Sequence, residues 1–413
     1  MKDEELKKRL IQLTCDLVNI PTENLPPRGN EKLGQEYVKK LLSQMGCEIL
    51  EFPPSSLPGF EKNGAFIAGY DYEGRNNVLG YIRGSGKGRS VLLTGHMDVA
   101  PREPLCWTHG QPFESVVEGN RIYGRGSADM KGGLACAIAA IQMLLDEGFQ
   151  PKGDIIFESV VDEEYASGAG TIASRMMGYN ADFGIIFEPT GHYICPACVG
   201  SVVLKVTVEG IAGMPYTGEK IENPVYLLSE AVGLIREYDK ERLSKTPVPP
   251  LWENTPQAAQ IVITKAKSGE VRPHGQLSTP VDAWLELVIQ TYPGETLEAV
   301  TADFEQYLKW HFSQPHKITL ETEYHYCKPS APHADTRGMM LLKEKADRYT
   351  EKAKICGAMF SCDLFAFEEF GNMPAVVFGP SGEKLHGPDE WVSISSMVAV
   401  TKTVRDFVRE WCG

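Results

Sequence analysis

Short apolar runs that are continuous rather than alternating constrain this chain most. Residues 90–94, 154–161 and 183–187 are dominated by apolar side chains on both faces, Val91-Leu92-Leu93 most plainly. A strand of that kind must be covered on both sides, as in a parallel sheet between helices. Between these runs, residues 6–18, 31–45, 132–145 and 171–177 carry apolar positions at helical spacing. Gly46 and Gly148 close two of them. A further short apolar run lies at 77–83. Strands separated by helices predict an α/β, doubly wound domain with a mostly parallel sheet.

The pattern changes near residue 200. Residues 201–209 alternate, with Val202, Leu204, Val206 and Val208 on one face, as a strand covered on one side does. A helical pattern follows at 226–238, then a loop rich in proline (Pro247, Pro249, Pro250), strands at 258–264 and 281–292, a helix at 297–310 and a strand at 317–326. This order describes an α+β unit with one helical layer. After the turn-rich residues 328–337, the α/β alternation resumes with a helix at 338–356, a strand at 375–378 and a helix at 394–411. At 413 residues the chain is long for a single core. The expectation is one α/β domain, 1–198 and 330–413, interrupted by an inserted domain, 199–329.

The formal net charge of −14, with no basic run, argues against nucleic acid as a partner. No apolar stretch is long enough to span a bilayer, and Met1-Lys2-Asp3-Glu4-Glu5 leads into no apolar leader, so a cytoplasmic protein without a membrane partner is expected. Its ten cysteines then read as free thiols. Cys195-Pro196-Ala197-Cys198 reads as two structural thiols, with a redox pair or half a zinc site as the alternatives.

Chemistry gathers where the apolar runs end, which is where open α/β sheets bind ligands. The first run ends in Thr94-Gly95-His96-Met97-Asp98. His96 and Asp98 are two apart and share a face, so a carboxylate at 98 can accept the imidazole N–H and aim the other nitrogen at a metal. Next, Gly124-Arg125-Gly126-Ser127-Ala128-Asp129-Met130-Lys131-Gly132-Gly133 brings a flexible backbone and Asp129 to the start of a helix, where Asp129 could equally be a helix cap. The second run ends in Asp162-Glu163-Glu164, three carboxylates that repel unless solvated or neutralised. The third ends in Glu188-Pro189-Thr190, and Leu385-His386-Gly387-Pro388-Asp389-Glu390 follows the run at 375–378. Five such segments offering only nitrogen and oxygen donors suit two divalent ions, zinc first, with cobalt or manganese as alternatives.

These motifs, in this order, resemble the zinc-dependent family that includes acetylornithine deacetylase, succinyl-diaminopimelate desuccinylase, aminoacylases and glutamate carboxypeptidase. The resemblance covers nearly the whole chain, including an inserted lid or dimerisation domain, and so implies a homodimer. It implies that Asp129 bridges two metals, that His96 and Glu188 complete one site, and that Glu164 and His386 complete the other. It also implies that Asp98 orients His96 and that Glu163 is the general base for a metal-activated water. The expected activity is hydrolysis of an amide bond in an N-acyl amino acid or small peptide-like substrate. A dipeptidase or carboxypeptidase is an alternative, as is a metal-binding homologue without turnover.

That last alternative rests on departures from the family pattern. The family's lid histidine has Met214 in its place, and a thioether cannot donate to an oxyanion. Gln290 stands near the position of a family arginine, and Cys362-Asp363-Leu364-Phe365 lacks another. Tyr216 and His274 are candidate replacement donors, or simply a packed aromatic and a loop histidine.

Overall fold

The computed structural model describes residues 2–62, 66, 69–102, 106–165, 168–269, 278–323, 327–351 and 353–413. It forms two compact units. One comprises Met1–Ala197, Ser330–Ala358 and Cys362–Gly413; the other comprises Cys198–Pro329 with Met359–Ser361.

The first unit is built on a six-stranded sheet in the order Ala375–Val377, Gly184–Ile186, Val91–His96, Ile155–Val160, Asn77–Ile82, Glu48–Phe52. The first three pairings are parallel and the last two antiparallel. Leu92, Leu93, Phe157 and Ile185 are fully buried in it. Each contributes roughly 1.5–3 kcal/mol of burial free energy. The helix Gly132–Asp146 packs against the helices Asp3–Val18 and Ile394–Trp411. Together with the turn before it, the stretch Ser127–Asp146 is long and apolar enough to cross a membrane, yet most of it is buried in this core.

Register positions the chemistry. His96 lies opposite Val160, and Thr94 opposite Ile186. Three parallel strands therefore end level, and the residues just past them emerge side by side. A small antiparallel sheet brings in the rest: Trp391 pairs with Tyr123, so the segment carrying His386 runs beside the glycine-rich segment carrying Asp129.

The second unit is a four-stranded antiparallel sheet in the order Ile261–Ser268, Asp282–Thr291, Gly200–Glu209, Ile318–Thr322. The helices Pro224–Lys245 and Leu297–His311 pack on it around Val202, Leu204, Val206, Val208, Leu285, Leu287 and Phe304. Asn223 and Thr296 cap these helices by accepting from Val225 N and Ala299 N.

Several boundaries differ from expectation. The helix expected at 338–356 spans only Arg337–Ala346, because Asp347–Thr350 turns back on its last carbonyls and Ile355 forms a bridge with Ile194. The strand expected at 258–264 begins at Ile261, since Pro256–Ala259 forms a tight helical turn. The strand expected at 317–326 ends at Thr322, and residues 324–326 lie outside the described residues.

Candidate metal centre

The five expected ligands converge in the first unit. His96 Nε2 lies 3.1 Å from Asp129 Oδ1 and 3.4 Å from Glu188 Oε1. His386 Nε2 lies 3.3 Å from Asp129 Oδ2 and 2.9 Å from Glu164 Oε2. The two oxygens of Asp129 thus face two different histidines. Donor atoms of His96, Asp129 and Glu188 lie within 4.8 Å of one another, as do those of Asp129, Glu164 and His386. Among the described residues, no Lys or Arg pairs with these three carboxylates. The donor set fits two divalent ions sharing Asp129.

Electrostatics agree with that fit. Burial pulls the His96 imidazolium down, but the Glu188 and Asp129 carboxylates override it and raise its pKa well above the ordinary value. His386 is also raised, chiefly by the charge of Glu164. Burial would raise Asp129, yet hydrogen bonds from His386 and His96 hold it far below the usual carboxylate range. Burial, then the charge of Asp129, pushes Glu188 up to about 8. A field that holds protons on two imidazoles is one that would hold cations in their place.

Glu163 stands beside the ligands without joining either group. Its Oε2 is 3.9 Å from His96 Nε2, and burial first, against the charge of His96, raises its carboxyl well above 4.5. Glu163 and Glu164 do not form a solvated acidic loop: their side chains are 16% and 3% exposed.

Asp98 needs a correction. His96 Nδ1 sits 2.8 Å from the backbone carbonyl of Asp98, while the Asp98 carboxylate is 3.8 Å away. The main chain therefore accepts the imidazole N–H. The side chain is occupied elsewhere, with Oδ1 accepting from Glu163 N (3.2 Å) and Oδ2 from Glu164 N (3.0 Å).

Asp129 does not cap a helix. It sits in a wide turn, Ser127–Lys131, ahead of the helix Gly132–Asp146. That turn is held by Glu390, which the sequence reading quoted but did not assign. Fully buried, Glu390 accepts from Gly126 N, Ala128 N, Asp129 N and Arg125 Nη1 at 2.8–3.1 Å. Asp389 next to it accepts from Thr108 and His109. Asp162 was likewise quoted without a role, and Asn24 and Arg75 were missed. Single polar residues far from any motif carry no sequence signal.

In the second unit, Met214 is 53% exposed and Tyr216 is 95% exposed. Gln290 Nε2 donates to Met359 O at 3.0 Å. His274 lies outside the described residues.

Residues 92–410 match the family profile described as peptidase family M20/M25/M40. The chain is similar to N-formyl-4-amino-5-aminomethyl-2-methylpyrimidine deformylases of two bacteria. It is 24% identical to that of Bacillus subtilis, covering 100% of this chain and 96% of the relative. It is 28% identical to that of Halalkalibacterium halodurans, covering 98% and 95%. Human carnosine dipeptidase 1 shares the fold, with a TM-score of 0.78 at 15% identity over 99% of this chain and 98% of that one.

Proposed function

The chain belongs to peptidase family M20/M25/M40, a family of amide-cleaving metal-dependent hydrolases, and from that premise we propose that it removes a small acyl group from an amine. The observation that carries this is the shared Asp129, with one oxygen facing His96 and the other His386, and Glu163 standing free beside them.

His96, Asp129 and Glu188 would hold one divalent ion, and Asp129, Glu164 and His386 the other; their nitrogen and oxygen donors favour zinc, or cobalt or manganese. When bound, such a pair supplies Lewis acidity that polarises a carbonyl and acidifies water. Glu163 Oε2 takes one proton from the attacking water and returns it to the departing amine nitrogen, so that amide and water become carboxylic acid and amine. Ala100 N donates to Glu164 Oε1 at 3.0 Å and fixes that carboxylate.

Similarity to two deformylases along the whole chain supports a formyl or other small acyl group. The absence of arginines where the family binds a substrate carboxylate supports an amine rather than an amino acid as the other product; Gln290 carries no charge and is already bonded to the main chain. An N-acyl amino acid, a dipeptide and a carboxypeptidase substrate are the alternatives. The inserted unit is proposed to pair two subunits, and the enzyme is proposed to act in the cytoplasm, where its ten cysteines would stay reduced.

Zinc- or cobalt-loaded enzyme should be assayed on N-formyl aminomethylpyrimidines, N-acyl amino acids and dipeptides, with a chelator control. Turnover should be highest on the N-formyl amines. Glu163→Gln should lower it about 100- to 10,000-fold while two ions stay bound. A preference for dipeptides would replace the deacylase by a peptidase. Loss of metal in Glu163→Gln would mean that Glu163 is a ligand.

A further inference from the structure

The segment Asp162-Glu163-Glu164 sends two adjacent side chains to two different histidines: Glu163 lies beside His96, and Glu164 beside His386. The backbone turns at Asp162, which has a φ of 66° and is fully buried. A charged residue in the left-handed region needs strong outside support.

That support comes from a buried network outside the metal ligands. Asn24, 1% exposed, donates through Nδ2 to Asp98 Oδ2 (2.7 Å) and to Asp162 Oδ1 (3.1 Å). Its own Oδ1 accepts from the Tyr70 hydroxyl. Arg75 Nη2 donates to Asp162 Oδ1 (3.2 Å), and its Nε donates to Glu31 Oε2 (2.9 Å). The Tyr72 hydroxyl donates to Asp162 Oδ2 (3.0 Å), and the Tyr70 ring stacks on Tyr165 at 5.3 Å. Two carboxylates, Asp98 and Asp162, are thereby held side by side in the core. Buried anions stay there only with donors of this kind. Asp98 then grips Glu163 N and Glu164 N.

We infer that Asn24 and Arg75 are positioning residues that, through Asp98 and Asp162, aim Glu163 and Glu164. The inference rests on the two-ion site proposed above. It has an asymmetric consequence. The backbone of Glu164 depends on this network. Asp129 hangs instead on Glu390, and His96 and Glu188 follow paired strands. Loss of Asn24 should therefore weaken the ion held by Glu164 and His386 and spare the ion held by His96 and Glu188.

The test is calorimetric titration of the chelator-stripped, full-length protein with zinc, alongside kcat and KM on its best substrate. Wild type should bind two ions. Asn24→Leu should keep one at wild-type affinity and weaken the other about 10- to 100-fold. Its kcat should fall by a similar factor with KM changed little. Arg75→Lys should retain more of the second ion than Arg75→Met. Tyr72→Phe removes one hydroxyl and keeps the ring, so it should show the same asymmetry to a lesser degree even if Asn24→Leu does not fold. Parallel weakening of both ions, or two ions and wild-type kcat in Tyr72→Phe and Asn24→Leu alike, overturns the inference. A wild type that binds fewer than two ions overturns the dinuclear site itself, and this inference with it.

Discussion

Residue by residue, the site is a set of anions that share too few protons. His96 and His386 keep theirs to higher pH than free imidazole, and Glu188 keeps its own up to about 8. In the unfolded chain these groups release protons near 6.5 and 4.5. Between those values and the raised native ones, the native metal-stripped protein binds more protons than the unfolded chain, so its stability falls as pH rises. The contribution of the two histidines is complete below pH 6.5 and is lost as pH climbs through their raised values; that of Glu188 is lost between 4.5 and about 8. The thermal midpoint of metal-stripped protein should therefore drop from pH 6.5 to 8. Zinc should flatten the decline, because coordinated imidazoles are already neutral. Scanning calorimetry with and without zinc measures both; a midpoint that rises over this range in the stripped protein contradicts the assignment. The proposed ligands His96, Glu164, Glu188 and His386 drew notice in the sequence because they follow apolar runs, and Asp129 because it lies in a glycine-rich segment ahead of a helix. The role of Asp98 was legible only in part, since His-x-Asp spacing does not reveal whether side chain or carbonyl takes the imidazole proton.

At the scale of elements, close packing sets the distance between ligands. Gly133 lies at the start of the helix Gly132–Asp146, and a Cβ there would sit 2.1 Å from the carbonyl oxygen of Phe187. Neither backbone can yield, and Phe187 precedes Glu188. Gly133→Ala should push the helix and its Asp129 turn away from the Glu188 strand end. It should cost about 1–3 kcal/mol of stability, a typical overpacking penalty, and weaken the ion shared by His96, Asp129 and Glu188. Denaturant unfolding and zinc titration check this; unchanged values would show that the helix start has slack. The buried parallel strands and the helix Ile394–Trp411 were readable from periodicity alone. Short elements were not: Leu364–Glu369 has six residues, and the strands around Val116–Tyr123 and Trp391–Ser393 have three each. They are held by their neighbours rather than by their own pattern. The helix read through to 356 stops early because Asp347–Thr350 closes on its last carbonyls and Ile355 pairs with Ile194 instead.

For the whole molecule, the proposed metal ligands and Glu163 belong to the first unit, and the second unit contributes none of them. The two ends of the inserted segment adjoin, with a Cβ on Gly200 meeting Pro329 N at 2.5 Å. The sheet of the second unit leaves the strand Ile261–Ser268 at an edge, a ready template for pairing between chains. The full chain should sediment at twice its 45.6 kDa mass. A version with residues 199–329 replaced by a short linker should sediment as a monomer and still bind zinc. A monomeric full chain would remove the pairing role of the insert. Net charge and the absence of basic runs set the expectation about partners from the sequence.

The central claim is that Asp129 joins two ions, one completed by His96 and Glu188 and the other by Glu164 and His386. Anomalous diffraction at the zinc edge from zinc-soaked crystals tests it most directly. Two peaks about 3.5–4 Å apart, the usual spacing of a bridged pair, should lie on either side of the Asp129 carboxylate, with Glu163 bound to neither. A single peak, two peaks that do not share Asp129, or Glu163 among the ligands would contradict it.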